Sequence, residues 1–103
     1  LAVTTVKRAQ AAPEVPTLAE AGVPGYEVSG WYGIVAPAKV PRDIILRLNK
    51  TFHAIVEKPE VREMLLAEGG DLKLGTPDEY AAFLKSEVVK WAQVIQRAGI
   101  AAE

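Results

Sequence analysis

The chain has 103 residues, 50% of them apolar and 24% charged, which bounds it to one domain with a modest core. Its 12 basic and 13 acidic residues leave a net charge of -1 with no long run of one sign, so it has neither the basic footprint of a nucleic-acid binder nor a polybasic membrane patch. The absence of cysteine removes disulfide and thiolate chemistry, and no stretch approaches the ~18 apolar residues of a membrane-spanning helix.

The sequence opens without methionine, and with no signal peptide, on the apolar run Leu1-Ala2-Val3-Thr4-Thr5. This run reads as a short strand cut at its upstream end, so the chain is expected to be a fragment or a processed piece. Residues 6–15 are mixed and polar, and Pro13 and Pro16 discourage a helix, so a loop is expected. Thr17 with Glu20 three residues on is a capping box, in which hydroxyl and carboxylate each satisfy the other residue's amide. Gly22 supplies a left-handed stop, so about one helical turn is expected. Pro24-Gly25 is a turn signal ahead of the next element.

Tyr26 to Pro37, Y-E-V-S-G-W-Y-G-I-V-A-P, is the longest stretch with β character. Val28, Trp31, Tyr32, Ile34 and Val35 suit a pleated surface. The early half alternates polar and apolar, and from Trp31 onward both faces are apolar, as in a strand entering a covered sheet. Fully extended it would span roughly 40 Å, about twice the usual strand. Gly30 and Gly33 bracket the aromatic pair, and glycine inside a strand marks a bulge, a bend or a close approach. Two readings follow: a single bent core strand, or two strand halves meeting between these glycines.

Pro41 suits the first turn of a helix over residues 42–57, whose stripe is Ile44, Ile45, Leu48, Phe52, Ile55 and Val56. Pro59 ends it and starts a second helix carrying Val61, Met64 and Leu65, closed by Gly69-Gly70. Asp71 to Leu74 is short and extended. Thr76-Pro77-Asp78-Glu79 then combines a capping threonine, a first-turn proline, acidic residues at the helix start and the return glutamate. The helix it launches carries Tyr80, Leu84, Val88, Trp91, Ile95 and Ala98 on one face, ends at Gly99, and lets Ile100 fold back in a Schellman ending.

Catalytic apparatus is hard to find. His53 is the only histidine and falls off the apolar stripe, so it reads as a surface residue, and with no cysteine or second histidine there is no metal set. Glu57, Glu60 and Glu63 read as a solvated face that favours the helix dipole. Ser29 is outside a G-x-S-x-G elbow, and Gly22-x-x-Gly25 lacks the Lys and Ser/Thr of a phosphate loop. Trp91 reads as packing. Trp31 and Tyr32 beside glycines either wall a ligand pocket or fill a core. The residues alone describe an α/β domain built for binding or assembly, with no cofactor and no enzyme activity expected.

At V-P-T-L-A-E-A-G-V-P-G-Y-E-V-S-G-W-Y-G-I-V-A-P-A the sequence closely resembles the C-terminal part of the Bug-type solute receptors, the periplasmic binding proteins of tripartite tricarboxylate transporters. L-A-V-T-T-V-K-R, R-L-N-K, P-E-V-R-E, G-T-P-D-E-Y and W-A-Q-V-I-Q-R-A-G-I fit the same family in the same order. Val40 departs from the threonine often found before the helix proline, which loses a cap.

The resemblance implies part of a two-lobed periplasmic-binding-protein fold (type II-like), with short strands and three main helices. Residues 1–25 would end one lobe, 26–37 would cross as the hinge, and 38–103 would form the helical part of the other lobe. It further implies a periplasmic receptor that captures a small carboxylate, works with membrane transporter subunits and uses no metal or cofactor. Such receptors present amides, hydroxyls and bridging waters to their ligand. The matching candidates are Thr4 and Thr5 at a strand's carboxyl end, with Ser29, Trp31 and Tyr32 at the crossing. Two other readings stand beside it. One is a stand-alone interaction domain that self-associates through unpaired strand edges. The other is a small enzyme resting on Tyr32, His53 or the acids.

Overall fold

A computed structural model describes residues 1–101. Three helices form, α1 (Arg42–Val56), α2 (Pro59–Ala67) and α3 (Pro77–Ala98). α1 packs against both α2 and α3, which do not approach each other among the described residues. Pro41 precedes α1 as its N-cap residue, one position outside the helix it was expected to start, whereas Pro59 sits at the first position of α2.

The helix ends follow their sequence signals closely. Thr76 Oγ1 accepts from the Glu79 amide at 3.1 Å, and the Glu79 carboxylate accepts from the Thr76 amide at 2.8 Å. At the other end Gly99 is left-handed with φ 66°, its amide bonds to Gln96 O, and the Ile100 amide reaches Ile95 O. That is the complete Schellman pair. α2 closes in the same way through Gly69, φ 79°, with Gly69 N to Leu66 O and Gly70 N to Leu65 O.

The first 41 residues hold no helix and no paired strand. The capping box at Thr17 and Glu20 does form, at 3.1 and 2.8 Å, around a single turn closed by Ala21 N to Thr17 O. Arg8 completes it by donating to both oxygens of Glu20. Together the Thr17 amide, first, and the Arg8 guanidinium hold the Glu20 carboxyl below the usual range. Val23 to Tyr26 is a turn with Pro24 second and Gly25 third at φ 78°, which is the type II pattern.

The α/β expectation is met only in part. The run Leu1–Thr5 is reduced to one parallel bridge, Val3 with Thr17, made by Val3 N to Pro16 O and Leu18 N to Val3 O. Tyr26–Pro37 forms no strand of either expected kind: its one backbone bond to another segment is Val28 N to Thr4 O. A strand exists only by exchanging amides and carbonyls with a neighbour. The described residues offer this segment no such neighbour beyond Thr4.

The same lack of a cover shows in the whole surface. No apolar residue is buried among the described residues, and Thr17, at 1% exposure, is the one buried residue. A folded monomer of 11.1 kDa exposes about 5,700 Å², whereas this chain exposes 8621 Å². Its radius of gyration is 16.8 Å, against about 13 Å for a compact domain of this length. The helices have formed their apolar faces, and those faces remain open.

Candidate functional site

The segment 26–37 runs along a groove walled by α1, α3 and the Leu74–Thr76 loop. The groove encloses about 920 Å³. Ile45, Leu48, Phe52 and Val56 of α1 line one side, and Tyr80, Phe83 and Leu84 of α3 line the other. Trp31 enters from the segment 26–37. Its ring meets Phe83 edge-on at 5.2 Å and Tyr80 edge-on at 6.1 Å, while Tyr80 and Phe83 stack at 6.4 Å. These are the offsets that the charge distribution of aromatic rings favours. Gly33 explains why the segment can lie so close, because a Cβ there would run into the hydroxyl and ring of Tyr80.

The polar floor of the groove is the Gly75 carbonyl. It accepts from Asn49 Nδ2 and from His53 Nε2, each at 3.0 Å. This corrects the reading of His53 as a plain surface residue: it is half-buried and ties the Leu74–Thr76 loop to α1. One helical turn separates Asn49 from His53, so their side chains share a face.

Glu87 lies outside that lining and is reached through Trp31. Its Oε2 accepts from Trp91 Nε1 at 3.0 Å and from Trp31 Nε1 at 3.3 Å, and Lys90 Nζ lies 3.8 Å from the other oxygen. The Trp91 bond first, with Trp31 and Lys90 adding to it, holds the Glu87 carboxyl below its ordinary value against the opposing effect of burial. Sequence reasoning missed Glu87 and Phe83. The signal was the spacing: Phe83 is three after Tyr80, Glu87 is four after Phe83, and Trp91 is four after Glu87, so all share one face of α3.

The expected ligand residues fall into two groups. Thr4 is exposed and its carbonyl accepts from Val28, one residue before the half-buried Ser29, which brings Thr4 and Ser29 near each other. Thr5 Oγ1 donates to Lys7 O at 2.6 Å, so its lone pairs remain able to accept. Trp31 and Tyr32 adjoin the groove instead. Trp31 is 40% exposed and already held by α3, whereas Tyr32 is fully exposed at the groove's edge. Among the described residues no cluster of His, Cys, Asp and Glu is arranged to hold a metal ion.

Residues 1–100 match the family of tripartite tricarboxylate transporter family receptors. The chain belongs to that family. It is 41% identical over 96 residues to a UPF0065 protein from the tcbD-tcbE intergenic region of Pseudomonas sp. strain P51, covering 92% of this chain and 29% of that one. Two solved structures superpose well. The structure of R. palustris Rpa4515 with adipate is 38% identical with a TM-score of 0.85, over 98% of this chain and 34% of the other. The periplasmic binding protein BugD is 31% identical with a TM-score of 0.84, over 99% of this chain and 35% of BugD. The chain therefore spans about a third of the length of these relatives, and its open faces occur in a family whose members carry much more polypeptide.

Proposed function

We propose that this chain is part of a periplasmic receptor that captures a small dicarboxylate for a tripartite tricarboxylate transporter. The observation that carries the ligand class is the similarity, at a TM-score of 0.85, to a receptor solved with adipate. The family is one of solute receptors and not of enzymes.

In this reading residues 1–25 close one lobe, residues 26–37 cross between lobes, and the helices from residue 38 onward belong to the second lobe. Thr4 and Ser29 offer hydroxyls to a carboxylate, Thr5 does so on releasing Lys7 O, and Trp31 and Tyr32 supply aromatic walls. Hydroxyls and amides suit such a ligand because several neutral donors can share its charge. The remaining polypeptide of the receptor covers the surface left open here and contributes the rest of the site. Membrane subunits of the transporter are the partners that receive the loaded receptor.

Isothermal titration of adipate into the full-length receptor carrying this sequence tests the reading. Saturable binding is expected, weakened by Thr4→Ala and Ser29→Ala. Failure of adipate and of shorter and longer dicarboxylates to bind would overturn it.

A second reading rests on the open surface. The excess of about 3,000 Å² exceeds the roughly 1,600 Å² buried by an ordinary protein–protein interface, so copies of the isolated chain would have enough area to pair. Sedimentation of the 103-residue chain distinguishes a self-associating piece from a monomer.

A further inference from the structure

The crossing segment is fastened at two points and at little else. On the amino-terminal side Val28 N donates to Thr4 O at 2.9 Å, which fixes residue 28 to the unit closed by the Val3–Thr17 bridge. On the helical side Trp31 is fixed by its bond to Glu87, by its edges against Tyr80 and Phe83, and by the close passage of Gly33 over Tyr80. Among the described residues, Ser29 to Ala36 make no backbone hydrogen bond. Between the two fastenings stand only Ser29 and Gly30. Open space lies where a Cβ on Gly30 would be, and glycine's wider backbone range concentrates rotation there.

We infer that Glu87 is a positioning residue that fastens the crossing segment to α3, and that Ser29–Gly30 is the pivot between the two units. Trp91 is part of the device. Its indole N–H holds the Glu87 carboxylate from the next turn of α3, so the oxygen that meets Trp31 is already oriented. An oriented acceptor loses less side-chain freedom when Trp31 docks than a freely rotating glutamate would. Motion of one unit relative to the other is then confined to two residues, and Trp31 travels with α3. The inference deepens the receptor reading, since a pivot serves a trap only where the two units are its lobes.

The test needs no ligand. With any native cysteines replaced, the exposed pair Lys7→Cys and Lys85→Cys can carry spin labels on the two sides of the pivot in the full-length receptor. With Glu87 intact the freedom between the labels is that of Ser29–Gly30, and a distance distribution limited to that one pivot is expected. Glu87→Ala is expected to broaden the distribution beyond it, while helix content by circular dichroism stays unchanged, because alanine is the best helix former. Trp31→Phe keeps the ring edges but removes the donor, and is expected to broaden the distribution too. Glu87→Gln retains an acceptor oxygen and is expected to restore the parent distribution. A merely structural Glu87 would lower the melting temperature without broadening the distance well below it. An unchanged distribution in both Glu87→Ala and Trp31→Phe, or loss of α3 in Glu87→Ala, would overturn the inference. Adding adipate to the full-length receptor afterwards separates the two readings: no response to adipate counts against the ligand class, and the ligand-free distances still decide the fastening.

Discussion

Trp31 donates its indole N–H to Glu87 across 3.3 Å, although 56 positions separate them in the chain. Trp91 donates to the same oxygen, and these are the only two tryptophans in the sequence. All tryptophan emission therefore reports on one carboxylate. The Glu87 carboxyl is held below its ordinary value in the folded chain, chiefly by Trp91. Its stabilising effect is thus fully present above the unfolded glutamate value and is lost as pH falls through the lower folded value. Emission is expected to stay flat from neutral to mildly acid solution and to change only below the ordinary glutamate range. In Glu87→Gln this step should vanish. A step that persists in that variant would place the titrating group elsewhere, with Asp78, lowered by Arg42, and Glu20, lowered by the Thr17 amide and then by Arg8, as the next groups to test.

Truncating Trp31 separates ring packing from hydrogen bonding. The ring is 40% exposed, so Trp31→Ala in the 103-residue chain is expected to cost about 1–3 kcal/mol, below the ~3–5 typical of a fully buried tryptophan. Trp31→Phe should recover most of it, since the edge contacts to Tyr80 and Phe83 survive. Urea unfolding of the three proteins checks both values. Should the remaining polypeptide of the receptor cover more of the ring, Trp31→Ala will cost more there than in this chain.

What was legible in the sequence divides along the range of the interactions. The caps at Thr17, Thr76, Gly69 and Gly99 came through because each is written within a few residues and needs no distant partner. The strands did not form because a strand's partner is never local: Tyr26–Pro37 has the right residues and lacks the neighbours that would pair with it. The stripe on α3 was placed too far round the helix. Val88 is 69% exposed and Ile95 46%, whereas the docked face runs through Tyr80, Phe83, Leu84 and Glu87. Hydropathy hid that face, because its central residue is a carboxylate. Of the site residues, the sequence grouped Trp31 with Tyr32 as neighbours, yet adjacent residues of an extended chain point to opposite sides. One turned to α3 and the other to solvent.

Gly33 makes a sharper prediction than Gly30, although both glycines bracket the same aromatic pair. A Cβ at Gly33 would meet the Tyr80 ring, which Phe83 and Trp31 hold in place. Gly33→Ala is therefore expected to destabilise the packing of the segment by about 1–3 kcal/mol. Gly30→Ala meets open space and should change stability little. Combining Gly33→Ala with Tyr80→Ala should cost clearly less than the sum of the two, because removing the ring removes the clash. An additive double mutant would show that the two residues do not meet in solution.

The two capping boxes carry the same chemistry in different surroundings, which makes them a matched pair. Thr76 is exposed at the start of α3, and Thr17 is 1% exposed beneath the amino-terminal turn. Thr76→Ala removes the acceptor of the Glu79 amide, but water can replace it, so a cost of about 1 kcal/mol is expected. Thr17→Ala removes the acceptor of the Glu20 amide and also the methyl that fills the one buried position among the described residues. Its expected cost is larger, about 2–3 kcal/mol, from an unmet donor together with a small cavity. Thr17→Ser restores the hydroxyl without the methyl and should fall between alanine and the parent, while Thr76→Ser should match its parent closely. Denaturation midpoints for the four variants check the order. Equal costs at positions 17 and 76 would mean that Thr17 is solvated in solution, and that the Val3–Thr17 bridge does not hold the amino-terminal unit together.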